Sequence, residues 1–274
     1  MSILALVLPL LLGASAQDVE VPPDPNCPRG EMNWPRGPGT VCIGGTRRHY
    51  GFAFIYPRAA ERIPAMIAYF RHQAVAHESW MRAHVNEICG QFEPDPDDCP
   101  TGMVYEQGWS LDADLPVLAA ASSFIDYYDL SLRDGSDADA ILIDRRLDRR
   151  IALGDLFTDQ RRGLAMVQRD FCRNLRSQVR VRRRSEIPIA GMISRVADVE
   201  CPAVGRHPVT LCAEHGRITR MAAEVDEPDV GAFPVGDYSV EVAMTPAMIA
   251  ALKPAYRSSF GTPSRRPTED RGMC

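Results

Sequence analysis

Apolar positions along this chain recur with two different periods, and those periods divide it into helices and strands. Between residues 59 and 88 the sequence places Ile63, Met66, Ile67, Phe70, Ala74, His77, Met81, Val85 and Ile88 at steps of three and four. That spacing puts them on one face of an α-helix. Pro64 fits only the first turn, so the regular helix is expected to begin there. A second helix is expected from Gln160 to Val179, with Leu164, Val167, Phe171, Leu175 and Val179 on one face and arginines on the other.

Elsewhere the alternation is that of strands. "HYGFAFIYP", His49 to Pro57, reads as one strand, ended by the proline. Met103 to Leu132 reads as successive strands. Asp134-Gly135 is expected to supply a hairpin turn, because such a pair adopts positive φ readily, and "DADAILIDRRLD" then returns as the partner. "HPVTLCAEHGRITRMAAEV" predicts a second hairpin turning near His215-Gly216, followed by the strand "GDYSVEVAM". Thr245-Pro246 is a cap with proline at the first helical position, which starts a short helix. The order predicts an α+β fold: a mixed, mostly antiparallel sheet with two long helices.

The remaining segments frame that domain. Residues 17–48 are rich in Pro and Gly and are expected to form an arm pinned by a disulfide. Residues 49–260 form the expected domain, divisible at 148/149 into two subdomains, and 261–274 form a polar tail. The opening "MSILALVLPLLLGASAQ" reads as a signal peptide over residues 1–16, with Ala14-Ser15-Ala16 at the cleavage site. Its apolar run is too short to span a bilayer, which takes roughly 20 residues, and no other span is evident. A periplasmic or secreted location is expected.

Export changes the meaning of the cysteines. There are 8, at Cys27, Cys42, Cys89, Cys99, Cys172, Cys201, Cys212 and Cys274, an even set that fits disulfides in an oxidising compartment. Local closure favours Cys27 with Cys42 and Cys89 with Cys99, and leaves the other four open among themselves. No CxxC occurs, which argues against structural zinc. The net charge of -5 argues against nucleic acid as a partner, and the basic run from Arg161, with Arg182, Arg183 and Arg184 as binding candidates, could instead meet an anionic lipid, a glycan acid or an acidic protein. A solvated helix face is the commoner meaning of such a run.

Signals for catalysis are sparse. His77 and His84 lie two helical turns apart, with His72 or Glu78 as further ligands for a metal, but HExxH is absent and their shared face is apolar, so no metal is expected. Asp126, Asp129, Asp134, Asp137 and Asp139 gather at the hairpin. Asp126 and Asp129 are the candidates for acid–base work, although turn-forming and solubility explain such residues as well. The same segment lacks the calcium-loop pattern. Ser122, Ser123 and Ser194 lie in no nucleophile motif. Neither GxGxxG nor a P-loop occurs, and no cofactor is expected. Exposed aromatic anchors, if Trp34, Trp80 or Trp109 are such, would favour protein binding.

"FIYP" at 54–57, "FIDYYDLSL" at 124–132 and "IALGDLF" at 151–157, with the second helix and "VGDYSVEVAMTPAMIAALKP", occur in an order that resembles the domain-of-unknown-function family 3298 of exported bacterial proteins. The resemblance covers residues 49 to 255. Related proteins include the extracellular part of a lysozyme-sensing anti-sigma factor and the domain preceding some polysaccharide deacetylases. The family's Gly-Gly-Ala-His-Pro turn is replaced here by Gly135-Ser136-Asp137-Ala138-Asp139, and its Tyr-rich region before the last strand corresponds only loosely to Glu224–Gly236. The resemblance implies a non-catalytic envelope protein that binds a cell-wall glycan such as peptidoglycan, or another extracytoplasmic protein, with Tyr127 and Tyr128 of the Tyr-rich strand as binding candidates. An envelope hydrolase acting on wall polymers is the alternative.

Overall fold

The structure, a computed structural model, describes residues 39–90, 102–129, 133–185, 201–225, 238–263 and Cys274. Its first sheet has the order β1 (Thr40–Thr46), β2 (Tyr50–Pro57), β3 (Met103–Asp114), β4 (Leu118–Asp129), β5 (Arg133–Asp144), β6 (Arg149–Ile151). Only β2 and β3 run parallel, and the long helix α1 (Pro64–Cys89) makes the crossover that parallel neighbours require. The second sheet, β7 (Val209–Glu214), β8 (Arg217–Val225) and β9 (Tyr238–Ala243), is antiparallel throughout. Helix α2 (Gln160–Ser185) precedes it, and the short helices α3 (Pro246–Ala251) and α4 (Pro254–Arg257) follow it. The expected α+β class with a mostly antiparallel sheet is what the chain adopts.

Alternation within the strands divides the molecule into layers. Phe52, Phe54 and Tyr56 of β2, Trp109 of β3 and Ile141 and Ile143 of β5 face α1, where Met66, Phe70, Met81 and Val85 meet them. Strand β7 crosses the other face of the first sheet over β3, β4 and β5, and α2 covers the far side of the second sheet. Strand β4 is therefore buried on both faces, and its run Leu118-Ala119-Ala120-Ala121 is fully buried. Small side chains there let both layers approach. Between the sheets lies a polar seam: Thr210 Oγ1 donates to Asp112 at 2.6 Å, Ser110 Oγ to the same carboxylate at 2.6 Å, and Arg220 pairs with Glu214 and Glu241. Burial raises the Asp112 pKa, against hydrogen bonds from Ser110, Thr210 and Ser122 that lower it.

Local chemistry explains the boundaries. α1 starts at Pro64, and the Ala65 N–H, one of the donors a helix start leaves unpaired, donates to Asp148 Oδ1 at 3.0 Å. His215 and Gly216 have φ of 51° and 75°, so the β7–β8 hairpin turns where expected, through two successive positive-φ residues. Met248 N–H donates to Thr245 Oγ1 at 3.2 Å, the expected cap of α3.

Three expectations are corrected. Asp134-Gly135 is not a turn: Gly135 opposes Tyr127 inside the β4–β5 ladder, which runs on to Asp129 opposite Arg133. The buried end sets that register, where Leu118 to Ala121 oppose Asp144 to Ile141, and counting outward brings Asp129 opposite Arg133. The stretch read as an arm ends in strand β1, whose seven residues pair with the whole of Gly51–Pro57. Helix α2 also continues beyond Val179 to Ser185.

The described disulfides are Cys172–Cys201 and Cys212–Cys274. Cys42 and Cys89 are disulfide-bonded as well, while the pairings expected for them, with Cys27 and Cys99, lie outside the described residues. So does the leader.

Candidate functional site

Tyr69, Gln73, His77, Trp80 and His84 follow one another on α1 at steps of four, four, three and four. They form a second stripe beside the apolar one, facing the outer half of strands β3 to β5. Deep along it, Tyr69 donates its hydroxyl proton to Asp139 and accepts from Gln73 Nε2 at 2.9 Å, while the Arg150 guanidinium sits 4.8 Å from its ring centroid. Burial, with Asp139 beside it, pushes the Tyr69 hydroxyl pKa well above the ordinary tyrosine range.

Two turns beyond Tyr69, His77 meets a polar chain from the sheet. Its Nδ1 lies 2.9 Å from Gln107 Oε1 and also contacts the Tyr105 hydroxyl; Gln107 Nε2 donates to Ser123 Oγ at 2.9 Å. Gln107 Oε1 also accepts from the Tyr105 hydroxyl at 3.3 Å, so His77, Tyr105 and Gln107 form one hydrogen-bonded cluster. Burial lowers the His77 pKa, opposed by the Gln107 bond and by Asp139 and Asp137. Ser123 and His77 meet only through Gln107, so no imidazole activates the serine.

The stripe opens to solvent at Trp80, which is 48% exposed. Its indole stacks on His84 with centroids 5.3 Å apart and planes at 9°, and it meets Tyr105 and Tyr127 edge-on, each at 6.3 Å. Tyr105 is buried, Tyr127 half-buried, and Asp137 exposed on the same face of β5 as Asp139. An aromatic shelf thus adjoins an exposed carboxylate and a histidine, over a floor where Tyr105, Gln107 and Ser123 are hydrogen-bonded to one another. Among the described residues no cluster of His, Cys, Asp and Glu is arranged to hold a metal.

Of the residues singled out from sequence, Tyr127, His77, His84, Asp137, Asp139 and Trp80 come together here. Asp126 does not: it opposes Glu106 on β3, on the sheet face turned away from α1. The side chains of Tyr128, Asp129, Asp134 and Arg182 to Arg184 lie outside the described residues, as does Trp34. Trp109, 3% exposed, is a core residue against Phe70 rather than an anchor. His72 is exposed and Glu78 pairs with Arg47 and Arg82. Sequence reading missed Tyr69, Gln73, Tyr105 and Gln107. The signal for Tyr69 and Gln73 was a polar and aromatic stripe at helical spacing beside the apolar one, while Tyr105 and Gln107 lie on β3 with the two-residue spacing of one strand face.

Among solved structures, a member of the domain-of-unknown-function family 3298 from Bacteroides fragilis matches with a TM-score of 0.51 at 10% identity, covering 80% of this chain and 95% of that one. A protein of the same family from Pseudomonas aeruginosa PAO1 aligns over 82% of this chain and 97% of its own, at 9% identity and a TM-score of 0.47. No family model matches the chain, and no curated protein does. The chain shares the fold of the Bacteroides protein. Its resemblance to the 3298 family, first drawn from the order of short motifs, is thereby supported at the level of architecture.

Proposed function

We propose that this chain is an exported, non-catalytic envelope protein that recognises a cell-wall glycan through the shelf of Trp80, Tyr127 and His84. The single observation that carries this reading is the half-exposed Trp80 indole, held flat against His84 beside the exposed Asp137. A sugar ring offers an apolar face of C–H groups that packs on an aromatic plane, and a rim of hydroxyls that bond to carboxylates and imidazoles. Ligand sites combine these two kinds of contact. The disulfides support an oxidising compartment, and no helix among the described residues is long and apolar enough to cross a membrane.

Purified peptidoglycan sacculi provide the test. The intact protein should co-sediment with them, and Trp80→Ala should reduce retention by about tenfold or more, the loss typical of a central aromatic anchor, with thermal unfolding unchanged. Flow-through of the parent protein across a range of salt would refute the glycan reading. Release of soluble wall fragments, abolished by Asp126→Asn, would instead favour the hydrolase.

A further inference from the structure

The shelf on α1 leaves the opposite layer unexplained. Helix α2 shows solvent a stripe of Arg162, Ala165, Arg169, Arg173, Arg176 and Arg180, at steps of three and four, all exposed. It runs about 27 Å at the rise of an α-helix. Nine arginines against the single Asp170 give residues 160–185 a charge of +8 in a chain of -5, leaving -13 for the rest. Asp170, itself buried, pairs with Arg169 and Arg173. Arg162, Arg176 and Arg180 have no carboxylate partner among the described residues.

The stripe is also held firmly. Asn174 Nδ2 donates to the Glu241 carbonyl at 2.7 Å and Gln178 Nε2 to the Ser239 carbonyl at 2.8 Å, which fastens α2 along edge strand β9. Gln168 bonds the Pro202 carbonyl and the Val204 N–H, and Cys172 is bridged to Cys201. Folding therefore fixes the direction in which the arginines point. Only one of the 31 basic residues in the chain is a lysine, Lys253. The planar fork of arginine suits the paired oxygens of a phosphodiester.

We propose that this outer face of α2 docks on an anionic phospholipid bilayer, the arginines meeting lipid phosphates. A straight row of cations on the exposed face of a long helix matches a plane of phosphates. Val181 strengthens the choice of a bilayer. It is 53% exposed beside Arg180 and offers an apolar side chain to the headgroup boundary. The surface is independent of the glycan reading, since it lies on the other outer layer.

The test is co-sedimentation of the full, oxidised chain with vesicles of phosphatidylcholine alone, or of equal parts phosphatidylcholine and phosphatidylglycerol. Binding is expected only to the anionic vesicles and is lost as salt screens the charges. The triple variant Arg162→Gln, Arg176→Gln, Arg180→Gln should bind roughly 100-fold more weakly, from the gain each cation makes at an anionic surface. A charge-matched control, Arg71→Gln, Arg149→Gln, Arg217→Gln, should bind as the parent does. Equal loss in both triples would overturn the proposal in favour of non-specific attraction. So would no binding to anionic vesicles at low salt, or capture by long-chain polyphosphate, lost in the stripe variant, with the vesicles ignored.

Discussion

Asp144 shows how much one side chain can carry in this fold. It is completely buried at the end of β5, yet it accepts from the Tyr256 hydroxyl at 2.6 Å, from Arg146 Nη2 at 2.9 Å and Nε at 3.2 Å, and from the Arg146 N–H at 3.0 Å. The guanidinium also lies 4.9 Å from the Tyr256 ring centroid. Burial alone would raise this carboxyl; the four hydrogen bonds and the Arg146 charge outweigh it and bring the pKa down to about 2. A folded value below the unfolded one of 3.8 means that the unfolded chain binds the proton first. The contribution is therefore complete above pH ~4 and lost as pH falls through about 2, an amount of about 2 kcal/mol. Denaturant unfolding followed against pH should show that loss in the parent protein. Asp144→Asn should be less stable at neutral pH by about 2–4 kcal/mol and should lack this part of the acid dependence; an unchanged acid profile would assign it to other carboxylates.

At the scale of elements, Gly163 sets local propensity against packing. Alanine is usually worth about 1 kcal/mol more than glycine inside a helix, so the sequence alone would recommend Gly163→Ala in α2. The structure reverses the sign: a Cβ at 163 would lie 2.1 Å from Phe157 Cγ, and Phe157 is fully buried. Overpacking at such a site costs about 1–3 kcal/mol, and the variant should melt lower than the parent in a calorimetric scan. Phe157 itself ends the "IALGDLF" segment, in which Asp155 Oδ2 accepts from the Ala152 N–H at 3.0 Å and Oδ1 from Gln160 Nε2 at 2.9 Å, closing the corner before α2. The motif that most suggested a family is thus a structural corner. Both helices were legible because their apolar period is long, and the β7–β8 turn because His215-Gly216 has no competing role. The β4–β5 turn was misread because Asp-Gly reports what a turn tolerates, whereas the buried alanines at the far end fix the register. The site was half legible: Trp80, His77 and Tyr127 stood out by type, but Gln107 and Tyr105 join them only because a parallel crossover brings α1 over β3.

At the scale of the whole molecule, two layered halves must be held in register. One face of the first sheet forms a core with α1, and its other face, through Leu118, Ala120 and Leu142, shares the second core with the second sheet, α2 and the short helices. Apolar packing within that second core joins the sheets, and the polar seam of Thr210 and Ser110 on Asp112 adds directional bonds that fix orientation but contribute modestly to stability. The Cys212–Cys274 bridge adds what the seam lacks. Cys212 sits on β7, the strand that crosses the first sheet, and is buried beside Phe124, Ala138 and Ala222 of both sheets. Its partner is the last residue, 62 positions away. Closing a loop of that length removes enough freedom from the unfolded chain to stabilise the fold by about 4 kcal/mol. The double variant Cys212→Ser, Cys274→Ser removes the bridge without leaving a lone thiol, and it should lower the unfolding free energy by that amount, with a correspondingly lower denaturant midpoint, while the Cys172–Cys201 bridge remains. If the bridge acts mainly on the unfolded chain, the refolding rate should fall while the unfolding rate barely changes. A rise in the unfolding rate would instead show that the bridge holds β7 against the first sheet in the native state.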